Sequence, residues 1–75
     1  MSEIEELGIV IRRLRNELGL SQEAMGASIG MSQAQIILVE KNGVDSLALL
    51  QCFAEFFGTD VVELLEMCRQ RQETD

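Results

Sequence analysis

Residues 22–41 read QEAMGASIGMSQAQIILVEK, and this stretch decides how the rest of the chain is understood. Ser21 stands just before it as a helix cap, and Met25 and Ile29 follow at the four-residue spacing of one helical face. Gly30 then stops that helix after barely two turns, because it tolerates the left-handed backbone that a sharp turn requires. Ser32 and Gln35 form a capping box that opens a second helix, with Ile36 and Val39 turned inward. Two short helices joined this tightly must cross steeply, and a close crossing needs a very small residue on the first of them. Gly26 stands at that place, while Met25, Ile29, Met31, Ile36 and Val39 supply the apolar pins.

Working outward, the same punctuation continues in both directions. Ser2 and Glu5 make a capping box ahead of an amphipathic run in which Ile4, Leu7, Ile11, Leu14 and Leu18 recur at three- and four-residue spacing, and Gly19 ends it. After Asn42-Gly43, either Asp45 or Ser46 caps a further helix with Leu47, Leu50, Phe53, Ala54 and Phe57 as its inner face, stopped by Gly58. Thr59 or Asp60, with Glu63 after it, starts a last helix whose inner residues are Val61, Leu64 and Leu65 and which is expected to fray near Arg71. Residues 72–75 are expected to be a loose polar tail. No strand periodicity, repeat or linker competes, so residues 1–75 read as a single all-α domain.

A chain of 75 residues with 47% hydrophobic and 25% charged residues is globular in composition. It buries only about 60% of its unfolded surface, which leaves a thin stability margin and favours help from a partner subunit. There is no His, and Cys52 and Cys68 lack zinc-type spacing, so no metal and no cofactor are expected. Neither a signal-peptide pattern nor an apolar run of about 20 residues occurs, so a cytoplasmic protein with reduced thiols and no membrane association is expected. A catalytic role is not expected, since no base stands near a nucleophile and so small a chain rarely encloses a cleft. Thirteen acids against six bases give a net charge of −7, which opposes long-range attraction to DNA without bearing on the fold.

The spacing in residues 22–41 is that of a helix-turn-helix. Together, LGIVIRRLRNELGLSQEAMGASIGMSQAQIILVEKNG, DSLALLQCFAEFFG and TDVVELL resemble the phage-repressor and Xre-type helix-turn-helix domains, over roughly residues 7–65. The resemblance implies a compact five-helix bundle that binds double-stranded DNA at a short near-palindromic site and regulates transcription, most often as a repressor. It implies that Gln22 bonds a DNA phosphate, that Ser32, Gln33, Ala34, Ile37 and Leu38 face the major groove, and that Lys41 and Asn42 touch the backbone. Arg15 and Glu40 look like the family's internal ion pair, which makes Glu40 a structural staple. On physical grounds Gln33 suits an adenine edge, and Ser32 suits the cap as well as a contact.

Two departures stand out. Ile37 and Leu38 occupy positions where relatives carry polar or basic residues, which leaves two readings open: contact with thymine methyls, or a protein-binding patch. After the third helix, Gly43-Val44-Asp45 replaces a basic segment, so Arg12, Arg13 and Lys41 remain as candidate cationic phosphate contacts. About two such contacts per subunit imply a salt slope of roughly −3 to −4 for a dimer. Leu49, Cys52 and Phe56, with Val62, Met67 and Cys68, form a second apolar stripe that either packs within the monomer or pairs two subunits about one DNA turn apart. The expected function is a sequence-specific DNA-binding regulator acting as a homodimer. The competing expectation is a protein-interaction module on the same fold, an antirepressor or heterodimerising subunit with a regulatory protein partner.

Overall fold

The chain folds as five consecutive helices: α1 (Glu3–Glu17), α2 (Gln22–Ile29), α3 (Gln33–Asn42), α4 (Leu47–Phe56) and α5 (Val61–Thr74). The computed structural model describes residues 2–74, with the side chains of 72–74 left out, and no strand occurs among them. Serines open four of the helices. Ser2, Ser21, Ser32 and Ser46 each accept a hydrogen bond from the backbone N–H three residues on, and Ser32–Gln35 forms both halves of a capping box. The fifth start is held by Asp60, whose Oδ1 accepts from the Glu63 N–H at 2.8 Å. Between Asp45 and Ser46, and between Thr59 and Asp60, the second of each pair takes the capping role.

The core runs from Leu7, Val10 and Ile11 on α1 through Met25, Ile36, Val39 and Val44 to Leu50, Phe53, Ala54, Leu64 and Cys68. Helix α1 lies centrally and packs against both α3 and α5. That double burial explains Val10, which is fully buried although it stands off the apolar stripe that spacing alone picks out. Three residues of the expected inner faces are corrected by the structure: Ile4, Leu18 and Leu47 remain 45%, 56% and 65% exposed. Each sits at a helix end, Leu18 as the C-cap of α1 and Leu47 as the first residue of α4, where the helix has already left the bundle's interior.

Two close approaches fix α3 against α1. Gly8 stands where a Cβ would lie 2.6 Å from the Val39 carbonyl oxygen and 2.9 Å from that of Glu40. Gly43, at φ +93°, lies directly against the Ile4 carbonyl, and the next N–H, from Val44, donates to that same carbonyl at 3.2 Å. The chain leaving α3 is thus seated on the first turn of α1, and Val44 is drawn into the core.

Helix α5 continues to Thr74 rather than fraying near Arg71. The reason is an ion pair between the Arg71 Nε and Glu6 Oε2 at 2.7 Å, in which the Glu6 side chain is 4% exposed. It fastens the end of α5 to α1. Helix α5 includes residues 72–74 of the tail expected at 72–75, and Asp75 lies outside the described residues.

Candidate nucleic-acid interface

Helices α2 and α3 are joined through Gly30, Met31 and Ser32. Gly30 adopts φ +77°, ψ 30°, and the Met31 N–H turns back to the Gly26 carbonyl at 2.8 Å. A Cβ at Gly26 would sit 2.5 Å from the Met31 carbonyl oxygen, so the turn folds directly over this glycine. Met25 and Ile36 are fully buried beneath the crossing, while Ile29 and Met31 close its edge.

The crossing leaves one side of α3 outward. Ile36 and Val39 point into the core, and Gln33, Ala34, Ile37, Leu38 and Lys41 are exposed on the opposite side, at the three- and four-residue intervals of one helical face. Ile37 is 42% and Leu38 56% exposed. Ser32 is exposed too, but its hydroxyl accepts from the Gln35 N–H while Gln35 Oε1 accepts from the Ser32 N–H, so both polar groups are occupied by the cap. Gln33 makes no side-chain hydrogen bond among the described residues. Asn42 ends the helix, exposed beside Lys41.

Beneath this face Arg15, Glu40 and Gln22 form a network. Arg15 Nε donates to Glu40 Oε2 at 2.6 Å and Arg15 Nη2 to Glu40 Oε1 at 3.1 Å, with side chains 10% and 5% exposed. Arg15 Nη1 also donates to the Leu20 carbonyl at 2.7 Å. The Gln22 amide nitrogen donates to Glu40 Oε1 at 3.1 Å. An amide nitrogen carries two hydrogens, so Gln22, half-buried at the start of α2, keeps one donor for an outside acceptor. The network ties α1, α2 and α3 together and commits Arg15 and Glu40 to one another.

The other cations lie elsewhere. Arg12 and Arg13 border a depression with Ile9, Asn16, Glu17 and Arg71, and no residue of α2 or α3 lines it. Arg13 approaches Glu17 at 3.9 Å. Arg12 and Arg13 are exposed on α1, at that depression. Lys41 is the one cation that α3 itself carries, and it makes no ion pair among the described residues.

Nor do the six apolar residues of the expected pairing stripe share a surface. Cys68 is fully buried in the monomer core, where burial first and the carboxylates of Glu6 and Glu3 second push its thiol up to about 11. Leu49, Phe56 and Met67 are partly buried against the same core. Cys52, which is exposed, opens with Phe56 toward Ser28 and Ile29 of α2. Val62, 75% exposed, opens toward Glu3, Leu65, Glu66 and Arg69. The apolar surface left open at the α1, α4 and α5 side is instead Ile4, Leu47 and Val62, two of which the helical spacing had assigned to the core.

Spacing alone did not reveal Gly8, Val44, Glu6 or Arg71 as structural determinants. Gly8 did carry a signal: a glycine within an amphipathic helical run costs about 1 kcal/mol relative to alanine and so marks a close backbone approach. The Glu6–Arg71 pair spans most of the chain and has no local signature. Among the described residues no cluster of three or more His, Cys, Asp or Glu side chains is placed to hold a metal, and no helix is long and apolar enough to cross a membrane.

A family profile described as a helix-turn-helix domain matches residues 6–67. No curated protein and no solved structure gave a significant match.

Proposed function

The chain belongs to the helix-turn-helix domain family, and from that premise we propose that it is a sequence-specific DNA-binding transcriptional regulator of the phage-repressor or Xre type, acting in the cytoplasm as a homodimer. On this reading residues 1–75 form one domain with its motif at 22–41. The observation that carries it is the outward face of α3: Gln33, Ala34, Ile37, Leu38 and Lys41 lie together in solvent on a helix whose other side is locked to α1 and α2. Gln33 suits the N6 and N7 edge of adenine, while the remaining Gln22 donor, Lys41 and Asn42 suit phosphate oxygens.

Two copies pairing through the α4 and α5 side would bury Leu47 and Val62 and present two recognition helices to successive turns, about 34–36 Å apart. The principal dimensions of one protomer, 32 × 24 × 21 Å, are compatible with that spacing for two copies side by side. Selection of bound duplexes from a random library tests the proposal. A palindromic consensus with about ten base pairs between half-site centres supports it.

A second reading is favoured by the 42% and 56% exposure of Ile37 and Leu38 together with the net charge of −7. On that reading α3 presents an apolar patch to a protein partner, and the chain is an antirepressor or a subunit that heterodimerises with a basic relative. Failure to bind either random or selected duplex below ~10 µM at low salt would favour this second reading, since even non-specific binders reach that range.

A further inference from the structure

The outer face of α3 has a composition that narrows what it reads. Ala34, Ile37, Leu38 and Lys41 follow one another at the intervals of a single helical stripe, with Gln33 at the N-terminal edge. Ile37 and Leu38 keep about half of their surface open to solvent. The polar groups that begin the helix are mostly spent, because Ser32 and Gln35 cap one another through both of their bonds. At the N-terminal end of the face, Gln33 is thus the side-chain amide without a partner among the described residues. The electrostatic grip is also slight: Arg15 is consumed by Glu40, and Arg12 and Arg13 lie at a different depression.

An apolar side chain offers no hydrogen bond to a base edge. The one apolar group that a major groove presents is the methyl on C5 of a pyrimidine, which is thymine in unmodified DNA. A wider apolar patch would be needed for a stable protein contact, and the most exposed apolar residues, Leu47 and Val62, border depressions lined by α1, α4 and α5 rather than α3. Building on the DNA-binding reading above, we propose that α3 is a methyl reader: Ala34, Ile37 and Leu38 seat the C5 methyls of two or more thymines in each half-site, Gln33 fixes an adjacent adenine, and Lys41 holds a phosphate. The site recognised is accordingly A·T-rich at its contacted steps, and most of its discrimination comes from methyl groups rather than from hydrogen bonds.

The test removes methyls from the DNA and leaves the protein intact. A duplex selected from a random library is resynthesised with deoxyuridine replacing thymine at one position at a time, and affinity is measured by fluorescence anisotropy. Removing a seated methyl is expected to weaken binding about fourfold, the equivalent of one buried methyl group, and two or three such positions are expected per half-site. Uracil outside the half-sites is expected to change nothing. In the Ile37→Ala, Leu38→Ala double variant, checked for folding by its melting curve, the cost of uracil is expected to disappear at every position except one that Ala34 seats. A selected duplex that tolerates uracil at every contacted position overturns the inference while leaving DNA binding standing. Methyl sensitivity that persists undiminished at every position in the double variant overturns it too, since the methyls would then act through DNA shape. If selection yields no bound duplex, the DNA-binding reading fails and the inference fails with it.

Discussion

Replacing Glu40 by glutamine is expected to cost the protein about 3 kcal/mol of stability. Glu40 accepts three hydrogen bonds through two oxygens, two from Arg15 and one from Gln22, with its side chain 5% exposed. Glutamine is nearly isosteric but has a single oxygen, so whichever way it turns, its NH2 faces at least one donor of Arg15 or Gln22. The Arg15 guanidinium, 10% exposed, is then left with only part of its compensation. Breaking one partner of such a buried pair costs about 3–5 kcal/mol. The retained bond from Arg15 Nη1 to the Leu20 carbonyl places this case at about 3 kcal/mol, the lower end of that range.

A domain of this length has a total stability of about 4–11 kcal/mol, at 0.05–0.15 kcal/mol per residue. A loss of 3 kcal/mol would lower Tm by about 12–24 °C. Thermal unfolding followed by circular dichroism reads this directly, at fixed protein concentration because a dimer would make Tm concentration-dependent. The control is Arg15→Met with Glu40→Leu, which replaces both charges by apolar groups and is expected to recover most of the loss. A shift below about 4 °C for Glu40→Gln, corresponding to under 1 kcal/mol, would refute the claim that this network staples α1, α2 and α3 together.

Further outcomes follow from the same geometry. Gly8→Ala and Gly26→Ala each push a methyl against backbone carbonyls; overpacking toward the upper end of about 1–3 kcal/mol, less the roughly 1 kcal/mol gained in helix propensity, leaves each destabilised by up to about 2 kcal/mol in urea unfolding. A thiol reagent is expected to label Cys52 at once in the native protein and Cys68 only upon unfolding, as mass spectrometry can count. Because burial raises the Cys68 thiol from 9.0 to about 11, the unfolded state loses that proton first; the contribution is full below about pH 9 and is lost as pH rises toward 11, a dependence that Cys68→Ala should flatten in alkaline denaturation. With Lys41 as the one cation on the reading face, the salt slope of a bound dimer is expected near −2, shallower than the −3 to −4 that counting arginines suggests, and Lys41→Ala should bring it close to zero.

Much of this fold is written locally. Serines and glycines mark the ends of the helices because capping satisfies backbone groups within three residues, and those bonds form at Ser2, Ser21, Ser32 and Ser46. Gly26 and Gly30 were likewise legible, since a turn this tight admits few other residues. What escaped was decided at long range. Val10 is buried because α5 returns to cover a second side of α1, and Glu6 is buried because Arg71 reaches it from far along the chain. Ile4, Leu18 and Leu47 have the right spacing for the core but stand at helix ends, where periodicity no longer reports burial. For the candidate interface, the sequence placed its residues on one helix, and only the fold shows that Arg12 and Arg13 border a depression shared with Asn16, Glu17 and Arg71.

The most direct measurement is a two-dimensional NMR titration of isotopically labelled protein with a selected duplex at 50 mM salt. Residues Gln22, Ser32 to Leu38, Lys41 and Asn42 are expected to shift in proportion to bound duplex, while Leu47 and Val62 shift only with protein concentration as subunits pair. Shifts confined to the Ile4, Leu47 and Val62 surface, or a spectrum indifferent to DNA, would contradict a groove-reading role for α3.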